Sequence, residues 1–129
     1  MWIDKIDQTE YIQRLYDVVP NLENIKLLKV EFEKPNDKIR IRLLLPIAVD
    51  NPPRKWTEHN DIYPIIDIDL FGINVFTLKN IKDKDVAICN LFWDKDLEGN
   101  VVVLCKGECS FEIVSECGVI QTITGASLK

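Results

Sequence analysis

Hydrophobic and polar residues alternate with a period of two through most of the chain beyond residue 27. Residues 28–33 alternate apolar and charged side chains, Pro35-Asn36-Asp37 has the composition of a turn, and residues 39–45 alternate again. Because successive side chains of a strand point to opposite faces, the two runs predict an antiparallel hairpin. Arg40 and Arg42 of its second strand are expected to lie across from the glutamates of the first, with modest attraction between them.

Beyond the hairpin, the sequence predicts six further strands, so that the total is about eight. Phe71-Gly72 is interpreted as a tight turn between two of them, and Lys106-Gly107 as the turn of a second hairpin. The run 86–93 is apolar at nearly every position, which is typical of a strand buried on both faces or nearly so. The six strands are expected around residues 66–70, 73–79, 86–93, 101–106, 109–116 and 118–125, with a tail at 126–129.

The N-terminal region has the spacing of a helix. Asp7 can accept hydrogen bonds from unpaired backbone N–H groups, and Glu10 follows three residues later, which is the pattern of a capping box. Because Pro20 cannot continue a helix, we predict one short helix over about residues 8–17. Its apolar stripe consists of Tyr11, Ile12, Leu15 and Tyr16.

One short N-terminal helix and about eight strands with short connections predict an α+β fold that is mostly antiparallel β. Sequential strands of this kind favour a meander-like curved sheet or a sandwich, with the helix on one side or end. The chain has 129 residues and shows neither a repeat nor a linker, so we predict a single domain over residues 1–129.

The charge balance narrows the kinds of partner that the chain can bind. With 21 acidic and 16 basic residues, its formal net charge is −5 and its isoelectric point is about 4.9. Nucleic acids and anionic membranes require clustered Lys and Arg, so neither is an expected partner, whereas a basic protein is. Since the sequence shows neither a basic-then-apolar leader nor an apolar run near 18 residues, we predict a cytoplasmic protein with reduced cysteines.

The cysteines do not have the spacing of a metal site. Cys105 and Cys109 form one close pair, but Cys89 and Cys117 are far apart, and a zinc site usually needs two close pairs. Cysteine commonly behaves as a small buried apolar residue. We therefore predict no metal and no cofactor.

Three polar features leave a catalytic alternative open. Asp67 and Asp69 share one strand face, with Asp61 just upstream, and paired carboxylates can perform acid–base chemistry. His59, the only histidine, would need a cysteine thiolate beside it to form a dyad. Strand alternation alone explains the two aspartates as a solvated face, and a further interpretation is a docking surface for a basic partner.

The segment 46–61 is predicted to be a long irregular loop and is the most distinctive part of the chain. Its prolines limit the freedom of the backbone, which suits either a structural latch or a preorganised binding surface. Trp56 follows two prolines and two cations, so it either packs the loop onto the sheet or contacts a partner.

Several short motifs occur together along the chain. They are Met1-Trp2, a helix with Leu15-Tyr16 that is followed by Pro20 and Leu22, the alternating hairpin, the segment Pro52-Pro53-Arg54-Lys55-Trp56, and a strand that ends in Phe71-Gly72. In this arrangement the chain resembles the immunity protein 50 family of bacterial polymorphic toxin systems over nearly its whole length. Asp17 is a departure, because the family often has glycine after the tyrosine.

The resemblance implies an α+β protein without enzymatic activity that binds and neutralises a cognate toxin, with no catalytic, cofactor or metal residues. Trp56 matches a characteristic tryptophan of the family. The alternatives are a small enzyme and a structural module that oligomerises through open strand edges at 86–93 and 101–105, and the oligomeric state stays open. The predicted partner contacts are Arg54, Lys55, Trp56, His59, Asp61, Asp67 and Asp69.

Overall fold

The computed structural model describes residues 1–80 and 86–128 and contains six strands within them. The strands are β1 (Ile25–Glu33), β2 (Lys38–Leu44), β3 (Tyr63–Asn80), β4 (Ala87–Lys95), β5 (Val101–Gly107) and β6 (Ser110–Ala126), and the α-helices are α1 (Glu10–Leu15) and α2 (Arg54–Glu58). Two 3₁₀ turns lie at Trp2–Asp4 and Lys34–Asn36. Residue 129, the end of the predicted tail, lies outside the described residues. In this part of the chain, neither helix has the length and apolar character that crossing a membrane requires.

The strands form a closed barrel made of two three-stranded meanders. The order around the barrel is β1-β2-β3-β6-β5-β4, and the strands pair antiparallel throughout. The longest pairing joins β3 to β6, from Tyr63 opposite Ala126 to Asn80 opposite Ser110. The predicted mostly antiparallel fold is confirmed, but the expectation of about eight strands is wrong for the described residues, and the sheet closes on itself instead of forming a sandwich.

The strand count differs because two predicted breaks are irregularities within longer strands. The runs on either side of Gly72 both belong to β3, and those at 109–116 and 118–125 both belong to β6. Gly72 has a φ of +69°, and a Cβ there would come within 2.6 Å of the Glu116 carboxylate. Glycine adopts this conformation without a steric penalty. The residue therefore bends β3 while pairing with β6 continues beyond it, and the predicted tight turn at Phe71-Gly72 is wrong.

β4 has one buried and one exposed face. Ala87, Cys89 and Leu91 are buried, whereas the side chains between them alternate outward: Ile88 is 49% exposed and Phe92 is 47% exposed. The prediction that this strand is buried on nearly both faces is wrong, because only the inward face of a barrel strand contacts the core.

Aliphatic side chains fill the interior of the barrel, and the N-terminal segment extends the same core. Ile41 of β2 and Ile68 of β3 are fully buried, and complete burial of such a side chain contributes about 1.5–3 kcal/mol. Trp2 and Leu22 belong to the same cluster. The indole Nε1 of Trp2 donates a hydrogen bond to the carbonyl of Pro20 at 3.0 Å, which holds the two ends of the segment together.

α1 confirms the predicted helix but is shorter than residues 8–17 and begins differently. Thr9 is its N-cap, while the N–H of Asp7 donates to the carbonyl of Gly118 in β6 at 2.8 Å. Because pairing with the barrel fixes the backbone of Asp7, the predicted capping box does not form. The helix ends where Tyr16 becomes extended, with φ −120° and ψ 137°, well before Pro20.

Candidate functional site

The segment 46–61 contains a helix and is not the irregular loop that its prolines predict. Pro53 is the N-cap of α2, with φ −60° and ψ 153°, and its carbonyl accepts hydrogen bonds from the N–H groups of Trp56 at 2.9 Å and Thr57 at 3.3 Å. The N–H of Asp61 then donates to the carbonyl of Trp56 at 2.9 Å. These bonds give the segment a defined conformation.

Trp56 anchors α2 to the rest of the protein. Its ring is stacked on Tyr11 of α1, with the ring centroids 6.5 Å apart and the planes at 22°. On β6, a Cβ added to Gly125 would lie 2.6 Å from Cδ2 of Trp56, so the indole rests directly on the backbone of that glycine. Trp56 is half-buried and packs against the core, which supports the structural interpretation of this residue.

The polar residues of α2 point away from this anchor. The side chain of Arg54 is 93% exposed and lies 3.8 Å from the Glu58 carboxylate, and Lys55 and His59 are also exposed. Asp61 is half-buried. The structure therefore brings Arg54, Lys55 and His59 together on one exposed surface, which we call the α2 surface.

A groove of about 250 Å³ runs beside the α2 surface. It is lined by Tyr11, Arg14, Leu15, Asn51 and Pro53. The guanidinium of Arg14 lies 5.9 Å from the ring centroid of Tyr11, and the side-chain amide of Asn51 donates to the carbonyl of Arg14 at 3.2 Å. The groove thus joins a cation and an aromatic ring next to α2.

Asp17, the departure from the family pattern, helps to fix this region. Its carboxylate accepts a hydrogen bond from the side-chain amide of Asn51 at 3.0 Å, and its N–H donates to the carboxylate of Asp50 at 2.9 Å. Both contacts tie the residue after α1 to the segment that leads into α2.

Asp67 and Asp69 lie elsewhere, on the outward face of β3. The register between β2 and β3 places Arg42 opposite Asp67 and Arg40 opposite Asp69. Each arginine donates two hydrogen bonds to its aspartate, at 2.7 and 3.1 Å for Asp67 and at 2.7 and 2.9 Å for Asp69. Thr122 of β6 donates a third bond to Asp67 at 2.7 Å. We call these five residues the ion-pair ladder.

The aspartates of the ladder are buried, so the expectation of a solvated face is wrong. Asp67 is 5% exposed and Asp69 is 1% exposed, because the arginine side chains lie over them. Burial raises the pKa of Asp67, but the hydrogen bonds from Arg42 and Thr122 outweigh burial and hold that pKa below its usual value. Asp67 is therefore ionised at neutral pH.

The predicted attraction between the arginines and the glutamates of β1 is present, but it is secondary to the ladder, because the main partner of each arginine is its aspartate. Arg40 does lie opposite Glu31 in the register of β1 and β2, but its guanidinium bonds to Asp69 on the other side. The hydrogen bond with Asp69 raises the pKa of Arg40 above its ordinary value. The cation of β2 that pairs with β1 is Lys38, which lies 3.1 Å from Glu33.

The cysteines and His59 do not form a catalytic dyad. Cys89, Cys105 and Cys109 are buried, and the thiol of Cys105 donates to the carbonyl of Cys109 at 3.3 Å. Cys117 is exposed, but it lies eight residues along β6 from Gly125, where Trp56 packs, or about 26 Å at 3.3 Å per residue. Within residues 1–80 and 86–128, no cluster of three or more His, Cys, Asp or Glu side chains could hold a metal ion.

Comparison with known proteins gives one match. The family model described as immunity protein 50 matches residues 8–126 of the 129. Neither a curated protein nor a solved structure matches the chain. The family match includes α1, α2 and all six strands, and the predicted resemblance is confirmed: the chain belongs to the immunity protein 50 family.

Proposed function

We propose that this protein is a non-enzymatic immunity protein that binds a cognate bacterial toxin in the cytoplasm and neutralises it. The observation that carries the proposal is the family match over residues 8–126. Neutralisation by binding requires a stable, complementary surface, and the barrel supplies a rigid framework for one.

The α2 surface is one candidate for the contact with the toxin. Trp56 holds the helix on Tyr11 and Gly125, so the backbone that carries Arg54, Lys55 and His59 is fixed before binding. Of the seven predicted contacts, Asp67 and Asp69 fit a role within the ion-pair ladder better, because their carboxylates are already bonded to arginines.

The two alternatives have less support. An acid–base enzyme would need a carboxyl group that exchanges a proton near neutral pH, whereas Asp67 has a lowered pKa and accepts three hydrogen bonds. A module that oligomerises through open edges would need unpaired strands, whereas residues 101–105 of β5 are paired with β4 on one side and with β6 on the other.

The proposal is tested by capture followed by neutralisation. The tagged protein is used as bait in a lysate of the source bacterium, and a captured protein with a toxin-like C-terminal domain is then produced in a sensitive strain with and without this protein. We expect the pair to co-purify in equal amounts and co-expression to restore growth. If the captured domain arrests growth equally in both strains, the proposed function is wrong.

A further inference from the structure

Several exposed or half-buried apolar side chains lie on the outward face of four neighbouring strands. Ile88 and Phe92 of β4 and Val75 of β3 are 49%, 47% and 39% exposed, and the outward side chains of the strands between them are half-buried. We call this surface the apolar sheet face, and it consists of Ile88, Phe92, Val102, Leu104, Val114 and Val75.

Strand register places five of the six residues side by side, whereas Ile88 stands apart, because Asn90 and its partner Lys106 lie between it and Phe92. Val102 pairs with Val114, which pairs in turn with Val75, and Phe92 pairs with Leu104 in the adjacent row. Directly paired residues are about 4.5–5.5 Å apart, so their side chains touch. With strands about 4.8 Å apart and neighbouring outward rows about 7 Å apart along β4, the contiguous part of the face measures about 14 Å by 7 Å.

Most of the net negative charge of the chain lies in the segment that carries all residues of this face except Val75. Residues 86–116 include six acidic residues and two lysines, which gives a net charge of −4 out of the −5 of the whole chain. Asp94 and Glu112 lie on the same outward side, because Asp94 pairs with Val102 and Glu112 pairs with Leu104. The ammonium of Lys106 lies 5.6 Å from the ring centroid of Phe92.

We propose that the apolar sheet face is the centre of the interface with the toxin, and that the toxin presents an apolar patch rimmed by Lys and Arg. This inference rests on the proposed function. The contiguous part of the face covers about 100 Å², roughly an eighth of the 800 Å² that each partner buries in a standard interface. That proportion fits a small apolar centre, where binding energy concentrates, inside a larger polar rim.

The charge of the segment argues against a second copy of this chain as the occupant. A symmetric dimer through this face would bring together two segments that each carry a net charge of −4. Juxtaposed like charges oppose such an association, whereas a basic rim on the partner is attracted and speeds the encounter.

The test uses the purified toxin domain captured as described above, with binding followed by biolayer interferometry and protection followed by growth. The variant Ile88→Ser/Phe92→Ser removes the two most exposed side chains of the face. Its matched control, Val18→Ser/Ile47→Ser, removes two aliphatic side chains that are 79% and 43% exposed outside the face. We expect an affinity loss of about 100-fold for the first variant and less than about threefold for the control, since central apolar anchors dominate binding.

A second variant keeps the test decisive if the first variant does not fold. Asp94→Lys/Glu112→Lys changes only the charge of the rim, and we expect its association rate at low salt to fall about tenfold, with a smaller difference at high salt. Circular dichroism melting curves verify that each variant is folded.

The possible outcomes separate the two proposals. Suppose that the wild type binds the toxin and protects the cells, and that both folded variants, Ile88→Ser/Phe92→Ser and Asp94→Lys/Glu112→Lys, bind and protect equally well. The face is then not the interface, and the proposed function stands. If Arg54→Ala/Lys55→Ala alone abolishes binding, the α2 surface is the contact and the present inference is wrong. If the wild type neither binds nor protects, both proposals fail. A dimer in sedimentation that Ile88→Ser/Phe92→Ser dissociates would assign the face to a second copy and overturn the inference.

Discussion

Replacing Arg42 with methionine removes one side of the ion-pair ladder and leaves a buried carboxylate without its main partner. Asp67 is 5% exposed and would keep only the hydrogen bond from Thr122. Loss of one partner of a buried ion pair costs about 3–5 kcal/mol. Because the Arg42 side chain is 43% exposed, water screens part of the interaction, and we expect a loss of about 3 kcal/mol in the free energy of unfolding.

The converse substitution is predicted to be milder. Asp67→Asn keeps the shape of the side chain and one acceptor oxygen, and the exposed guanidinium of Arg42 can recover contacts with water. We expect a loss of about 1 kcal/mol, since the group left behind is not a buried charge. Replacing both residues, as in Arg42→Met/Asp67→Leu, removes the charges together and is expected to change stability by less than about 1 kcal/mol.

Urea unfolding followed by circular dichroism measures all three variants. With a slope of about 1.5 kcal/mol per molar urea, a loss of 3 kcal/mol lowers the midpoint by about 2 M. An unchanged slope verifies that the unfolded state is the same. The reasoning is refuted if Asp67→Asn destabilises the protein more than Arg42→Met, or if the double variant is no more stable than Arg42→Met.

Three further predictions follow from the same structure. Because the pKa of Asp67 is lower in the folded than in the unfolded protein, its ionised form stabilises the fold above the unfolded pKa of about 3.9. This stability is lost as the pH falls through the folded pKa. In an acid titration, the free energy of unfolding should therefore fall less steeply with decreasing pH in Asp67→Asn than in the wild type. Gly107→Ala combines a φ of +135° with contacts of 2.8 Å to backbone atoms of Ile88 and Cys89, so it should lower stability by about 2 kcal/mol or more. Gly99→Ala, with a φ of +86° in open space, should lose only about 1 kcal/mol, and equal losses in thermal melts would contradict this account. Gly125→Ala would displace the Trp56 ring, so near-ultraviolet circular dichroism should change while the far-ultraviolet spectrum is retained, and an unaltered aromatic signal would argue against the packing of this ring.

Sequence patterns predict the parts of the fold that depend on contacts between residues close together in the chain. The β1–β2 hairpin depends on alternation and on a turn between adjacent strands, and it lies where expected. The sequence pattern divides β3 at Gly72 because glycine commonly marks a turn, whereas pairing with β6, distant in sequence, resumes at Ile73 and keeps both runs in one strand.

The sequence predicts which residues form the candidate site better than it predicts where they lie in space. The motif around Trp56 indicated the family, but its anchor on Gly125 is a contact between distant segments. Asp67 and Asp69 looked solvated because alternation cannot show what covers a strand. The spacing of two residues between the arginines of β2, equal to that between these aspartates, was the available signal for the ladder.

The way in which the barrel closes has a consequence for the folding rate. Tyr63 pairs with Ala126, which is 63 positions away, so this contact forms only after a long loop has been closed. Proteins dominated by such distant pairings fold in about milliseconds to seconds, more slowly than helical proteins of similar size. Until β3 meets β6, each meander has unpaired edges that can associate with other chains. Under the proposed function, the protein would therefore have to complete its folding before the toxin appears.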